Sequence, residues 1–394
     1  MKVLQVSTTC SSGSVGRIEV DLYNTLKKNG HDCLIAYGRG IPPKNIKTIR
    51  IGSNWNIQKN GLKIRLADCE GFGSKEATKN FIEQIEIYNP DIIHLHCLHG
   101  YYINIEVLFN YLALIDKPII WTQHDCWAFT GHCTYFDYIK CDKWKTECNN
   151  CPQTKEYPKS LLFDNSKNNY QIKKKLFTLP ENMTIVTPSK WLATLIKQSF
   201  LSKYPTEIIH NGIDLQVFKP VKSNFKEIYQ CEKKIIILGV ANVWNARKGF
   251  STFVELSKVL SKDFQIILVG LTQKQIKKLP KNIIGITHTK SVDELAEIYT
   301  AADIFLNPTR EDNFPTTNME ALACGTPVIT FNTGGSGESL DANCGAVIKK
   351  EDLIPTIYSI TNYLKENCIK RAKSFDKTLM FQEYLKLYKK RLGK

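Results

Sequence analysis

The run Asn307-Pro308-Thr309-Arg310-Glu311-Asp312-Asn313-Phe314-Pro315-Thr316-Thr317-Asn318-Met319-Glu320 gathers carboxylates, amides and hydroxyls where a short apolar stretch gives way to a helical pattern. The first turn of such a helix presents unpaired backbone N–H groups and the positive end of the helix dipole. A phosphate fits there. Glu320 lies about one turn in, where a carboxylate can accept from both hydroxyls of a ribose. Gly325-Thr326-Pro327 then ends the helix and starts another strand. The competing reading is a surface turn followed by an ordinary capped helix.

Three other groups carry chemistry. Arg247-Lys248-Gly249 closes the loop after the apolar run Ile235–Ala241, where cations can neutralise a pyrophosphate. Without a ligand, the same residues are a solvated basic loop. In the first half, Gly13-Ser14-Val15-Gly16-Arg17 follows the opening apolar run, and its Gly13-x2-Gly16 spacing lets backbone approach a ligand. It is not the dinucleotide fingerprint. His124-Asp125 follows Ile119–Thr122, and a histidine there can donate to a sugar or a leaving oxygen, or simply serve the structure.

The thiols Cys133-x7-Cys141-x6-Cys148-x2-Cys151 lie close together among Trp127, Trp144 and Pro152. Four thiols suit tetrahedral zinc, and Cys-x2-Cys is a common half-site. His132 is a fifth candidate ligand. The alternative is free thiols buried in a loop packed by aromatics. A closed structural site is expected rather than a catalytic metal.

Elements that alternate between strand and helix must position these groups. Lys2–Ser7, Cys33–Tyr37, Ile92–Leu95, Ile119–Thr122, Thr184–Thr187 and Ile208–Ile209 read as strands. Ile18–Lys28 and the segment after Ser189 read as helices. A polar, aperiodic stretch from Val217 to Glu232 separates them from a second series. That series has strands at Ile235–Ala241, Gln265–Val269, Ile283–Ile286, Ile304–Leu306 and Val328–Thr330. Its helices are Phe250–Leu260, Val292–Thr300 and Thr317–Ala323, followed by Leu353–Glu366 and Leu379–Leu392. This order predicts an α/β protein with two doubly wound, Rossmann-like domains, and ligands at the carboxyl ends of strands facing a cleft. The predicted divisions are residues 1–218, with a Cys-rich insertion at 126–152, then 219–376, then a helix at 377–394 packing back on the first domain.

The net charge is +15, with +8 on residues 1–205 and +7 on the remainder. A field spread in this way favours phosphates, pyrophosphate lipids or anionic membrane surfaces. No Arg-rich helix, zinc-finger spacing or aromatic RNA-binding signature points to nucleic acid. Lys173-Lys174-Lys175, Lys190 and Lys197 are either membrane-docking residues or a solvated face. No apolar run approaches the ~20 residues of a transmembrane helix, and the N-terminus reads as a strand rather than a signal peptide. Thirteen cysteines without a secretion signal then predict a reducing cytoplasm, and a docking role for the lysines would put the chain at the inner face of the plasma membrane.

The segment ending in Glu320 resembles the Glu-x7-Glu signature of family 4 glycosyltransferases, which have the two-domain GT-B architecture. Glu320 matches the second acid, which binds the ribose in that family. The first position is Asp312, not Glu, with Glu311 one residue too early. Lys248-Gly249 is similar to the family's Lys-Gly loop, although the family's earlier Arg is replaced and Arg247 stands beside the lysine. Pro188-Ser189-Lys190-Trp191-Leu192, Asn211-Gly212-Ile213-Asp214 and Thr333-Gly334-Gly335-Ser336-Gly337-Glu338 resemble further family segments. The cysteine insertion resembles a subgroup that builds bacterial surface polysaccharides, including colanic-acid-type enzymes.

The resemblance implies transfer from a nucleotide-sugar donor with retention of configuration and no cofactor required for catalysis. It makes His124 and Asp312 the catalytic candidates. Gly16, Arg247, Lys248, Glu311, Asn313, Phe314, Pro315, Thr316 and Glu320 become the donor-binding candidates. The implied acceptor is a lipid-linked glycan or oligosaccharide. An epimerase or phosphorylase of the same architecture, or a non-enzymatic nucleotide- or nucleic-acid-binding protein, remains the alternative.

Overall fold

The computed structural model describes residues 1–360 and 363–393. The chain forms two compact units, Met1–His210 with Phe381–Lys394, and Asn211–Met380.

The first unit holds seven strands: β1 Lys2–Thr9, β2 Asp32–Arg39, β3 Thr48–Arg50, β4 Ile92–Leu95, β5 Ile119–Thr122, β6 Met183–Thr187 and β7 Thr206–Ile208. They form one sheet in the order β3-β2-β1-β4-β5-β6-β7. Every pairing is parallel, with Val3 opposite Cys33 on one side and Ile92 on the other. Strands buried on both faces need near-continuous apolar runs, as in Ile92-Ile93-His94-Leu95. The helix Gly13–Lys28 covers one face through Ile18, Leu22 and Leu26. It stops before Gly30, whose positive φ suits the turn into β2. Ser189 caps the helix Lys190–Gln198 by accepting from the Leu192 amide.

The second unit holds β8 Ile235–Val240, β9 Phe264–Val269, β10 Ile283–Ile286, β11 Ile304–Asn307, β12 Val328–Phe331 and β13 Gly345–Ile348. The order is β10-β9-β8-β11-β12-β13, again all parallel. In each sheet the strand order reverses beside the first strand, between β1 and β4 and between β8 and β11, the switch point at whose carboxyl ends doubly wound sheets bind ligands.

The structure differs from expectation at several edges. β3 and β13 are additional strands, short and partly exposed, with no strong period of their own. The first unit ends at His210 rather than 218. The reason is local: the Ile213 amide donates to the Phe375 carbonyl at 2.8 Å, and Phe218 packs edge-on to Tyr299. The segment therefore belongs to the second core. The expected helix Leu353–Glu366 is Leu353–Ser359, a new helix starts at Lys365, and residues 361–362 lie outside the described residues. The last helix is Lys377–Arg391. Within the first unit, its Tyr388 and Tyr384 hydroxyls meet His94 Nδ1 at 2.7 Å and Thr122 Oγ1 at 3.0 Å.

Candidate active site

In the second unit, β11 delivers Asn307 to a turn that runs through Asn313 into the helix Thr316–Ala323. The turn is fixed from within. Thr309 Oγ1 donates to the Glu311 carbonyl at 3.0 Å, and the Arg310 amide to the Arg247 carbonyl at 2.8 Å. Thr333 Oγ1 donates to the Thr309 carbonyl at 2.8 Å. Two glycines let neighbouring loops close on it. A Cβ on Gly249 would lie 2.2 Å from the Pro308 carbonyl oxygen, and one on Gly334 would lie 2.0 Å from that of Asp312. Both have positive φ, so any other residue there would be strained as well as crowded.

These contacts bring the basic loop and the acidic turn together. The Lys248 ammonium donates to Asp312 Oδ2, and the Arg247 guanidinium donates to the Glu311 carbonyl at 2.8 Å. Of the two adjacent acids, Asp312 turns its carboxylate to the lysine, while Glu311 meets Arg247 and Thr309 through its backbone. Asp312 also accepts from the Asn313 amide at 3.0 Å. Phe314 is buried against Phe375, with centroids 5.7 Å apart. Pro315 occupies the N-cap and has no side chain to accept from the first-turn amides of Thr316–Ala323. That helix end therefore suits an anion. Glu320 is buried and accepts from the Tyr299 hydroxyl at 3.0 Å.

Sequence reasoning missed Tyr299, and also the brace Asn307–Asn318. Asn318 Oδ1 accepts from Asn307 at 2.8 Å, and its amide donates to the Ser336 carbonyl at 3.0 Å. Only the pairing of buried polar side chains identifies them, since each sits in an otherwise apolar helical or strand pattern.

In the first unit the carboxyl ends of β4 and β5 hold a histidine cluster. His94 is sealed between Tyr388 and Thr122, and burial pushes it down to about 3. His96 Nδ1 lies 3.1 Å from His124 Nε2. Burial pushes His124 down to about 4, so it is a neutral imidazole near pH 7. His99 Nε2 lies 2.9 Å from Asp125 Oδ2, and its Nδ1 lies 3.0 Å from the Tyr157 hydroxyl. Burial opposes the charged form of His99, but Tyr157 and Asp125 outweigh it and raise its pKa well above 6.5. Asp125 is thus the partner of His99, which the sequence reading passed over although it ends the run His94-Leu95-His96-Cys97-Leu98-His99. Gly16 is buried, and a Cβ there would lie 2.9 Å from the Ser11 nitrogen. It therefore permits the tight turn before its helix.

Cys133, Cys141, Cys148 and Cys151 line one small cavity together with Phe136 and Trp144. The Cys133 and Cys151 thiols hydrogen-bond, and Cys151 is lowered to about 7 chiefly by that bond. Among the described residues, no three His, Cys, Asp or Glu side chains already form a metal-binding group. The fifth candidate, His132, lines the same cavity: its Nδ1 lies 2.5 Å from Asp68 Oδ1, and its buried Nε2 has no hydrogen-bond partner among the described residues. Lys173 is also corrected. It is buried, not surface-docking, and donates to the Trp127 and Thr130 carbonyls at 2.9 and 3.1 Å. Burial lowers it to about 7.

Comparison with known proteins matches residues 15–217 to the model described as Glycosyltransferase Family 4, and residues 233–365 to Glycosyl transferases group 1. The chain is 23% identical over 371 residues to WcaC of Escherichia coli K12, named for glycosyl transfer in colanic acid biosynthesis, covering 91% of this chain and 89% of the relative. It is 26% identical over 197 residues to the N,N'-diacetylbacillosaminyl-diphospho-undecaprenol alpha-1,3-N-acetylgalactosaminyltransferase of Campylobacter jejuni, covering 45% of this chain and 52% of that one. Among solved structures, Anabaena HepE in complex with UDP-glucose superposes with a TM-score of 0.67 at 14% identity, covering 98% of this chain and 99% of that one.

Proposed function

This chain belongs to glycosyltransferase family 4, has the GT-B fold and is a glycosyltransferase of polysaccharide or glycolipid synthesis; from that premise we propose its donor, acceptor and chemistry. The donor is a UDP- or GDP-sugar, the acceptor a lipid-linked glycan, and the product a bacterial surface polysaccharide (O-antigen, capsule or exopolysaccharide). The transfer retains anomeric configuration. The observation that carries this reading is the Lys248–Asp312 pair, set beside the uncapped helix Thr316–Ala323 with Glu320 one turn in. A diphosphate at that helix end takes Lys248 and Arg247 as counter-charges, and Glu320 receives the ribose hydroxyls.

The leaving diphosphate gains charge as the sugar–phosphate bond breaks. Preorganised cations and amides stabilise that charge without reorganising. The acceptor hydroxyl attacks the face that the diphosphate leaves and passes its proton to the departing phosphate oxygen. Asp312 positions the sugar.

A relative named for an undecaprenol diphosphate acceptor and a neighbour holding UDP-glucose support these substrate classes. No helix among the described residues is long and apolar enough to cross a membrane. From the lipid-linked acceptor we infer work at the cytoplasmic membrane face by peripheral contact. A thermal-shift screen of UDP- and GDP-sugars, followed by radiolabelled transfer, tests the reading. Donor-dependent stabilisation that is lost in Glu320→Ala supports it, and the same stabilisation in that variant would overturn the site.

A further inference from the structure

The helix Asn54–Ala67 is apolar on two opposite sides. Ile57, Gly61 and Ile64 face the core of the first unit. Residues advance about 100° each along a helix, so Trp55, Leu62 and Leu66 share the opposite face. That face is in solvent: Trp55 is 71% exposed, Leu62 63% and Leu66 40%. A surface helix ordinarily turns polar residues outward. Lys59 and Lys63 flank the apolar stripe and are also exposed.

A second apolar element is fastened to the end of this helix. Leu161, Leu162 and Phe163 are 59, 69 and 64% exposed in consecutive positions. The Leu161 amide donates to the Arg65 carbonyl at 2.7 Å, and Ser160 Oγ donates to the Phe163 carbonyl at 2.6 Å. Asp68, just past the helix, accepts from the Asn165 amide at 2.9 Å. The loop and helix end are thus tied together by hydrogen bonds. Lys155 and Lys159 border the loop and are exposed. The nearby acid Asp164 is turned onto the amides of Cys151 and Ser166 at 2.5 and 2.9 Å.

We propose that this face docks the enzyme on an anionic lipid bilayer, with Trp55, Leu62, Leu162 and Phe163 in the headgroup boundary and Lys59, Lys63 and Lys159 against lipid phosphates. Single exposed apolar residues are ordinary, but a tied cluster of them rimmed by lysine is the pattern of an interfacial anchor. Lysine stems lie along apolar surface and place their charge at the phosphates. A water-facing stripe with this charge complements an anionic surface, and the net charge of +15 adds to the attraction. The proposal deepens the reading of a lipid-linked acceptor and replaces the Lys173 patch as the docking site.

The test is sedimentation of the full chain with vesicles of phosphatidylethanolamine and phosphatidylglycerol. Wild type should pellet with them, more weakly at high salt. The double variant Leu162→Ser/Phe163→Ser should bind at least ~10-fold more weakly, with an unchanged thermal shift by nucleotide-sugar. Lys59→Gln/Lys63→Gln should lose the salt-sensitive part of the binding. Wild type staying in the supernatant, or the serine variant pelleting fully, would overturn the proposal. A wild-type dimer dissolved by the serine substitutions, without vesicle binding, would overturn the lipid occupant. Transfer to a water-soluble acceptor, measured in parallel, separates the two readings: its loss in wild type sinks the proposed reaction, whereas intact transfer with no vesicle binding sinks only the docking face.

Discussion

The Lys248 ammonium and the Asp312 carboxylate are bonded to one another, joining the loop after β8 to the turn after β11. The two strands are neighbours in the sheet, so the pair sits at the switch point of the second unit. Lys248→Ala should lower kcat by roughly 100- to 1000-fold, the usual cost of losing one preorganised stabiliser of developing charge. Initial rates with a fixed acceptor check this. A loss below 3-fold would remove Lys248 from the diphosphate site.

Tyr299 and Glu320 make the second prediction. Tyr299→Phe removes the hydroxyl that holds the carboxylate, a hydrogen bond to a charged group worth about 1.5–3 kcal/mol. Donor KM should rise about 10-fold with kcat little changed. Glu320→Gln should also bind a 2',3'-dideoxy nucleotide nearly as well as the natural one. Calorimetric titration of both nucleotides reads the difference, and full retention of ribose discrimination would contradict the assignment.

The third prediction concerns pH. The folded-state pKa of His99 is raised, so its bond to Asp125 contributes fully below about 6.5 and fades as pH rises through the raised value. The Asp125 pKa is lowered: burial opposes this, and His99 outweighs burial. Its contribution is present above about 4 and is lost as pH falls through the lowered value. Asp125→Asn should therefore destabilise most between about pH 4 and 6.5, by about 1.5–3 kcal/mol. The gap from wild type should narrow on either side. Urea unfolding across pH measures it, and a gap independent of pH would show that the pair is not ionic.

The thiol cavity supplies the fourth. Zinc would have to draw Cys133, Cys141, Cys148 and Cys151 from the cavity wall to one centre, displacing the Cys133–Cys151 bond. Added zinc should raise the Tm of the reduced, chelator-treated chain and protect all four thiols together from iodoacetamide. If Cys151 alone labels, with a midpoint near pH 7 whether or not zinc is present, the cavity holds a thiol pair and no metal.

Much of the fold was legible because buried parallel strands must be written as apolar runs. Ile92–Leu95 and Ile119–Thr122 were placed to the residue. Thr48–Arg50 and Gly345–Ile348 were not, because three or four half-exposed residues at a sheet edge carry no period. The site divides similarly. Lys248, Asp312 and Glu320 stand out as charges where apolar segments end. Tyr299 and His99 act through partners remote in sequence, so spacing alone does not reveal them. Lys173 shows the converse: a run of lysines reads as surface, yet one of them is turned inward over the Trp127 ring, 3.5 Å from its centroid.

The division of the chain also sets an order of completion during synthesis. Everything the second unit contains has been made by Met380, but the first unit still awaits Phe381 onward. Until Tyr384 and Tyr388 leave the ribosome, Thr122 and His94 lack the hydroxyls that meet them in the finished core. Domains usually mature from the N-terminus as they emerge. Here the half that is translated first is the half that is finished last.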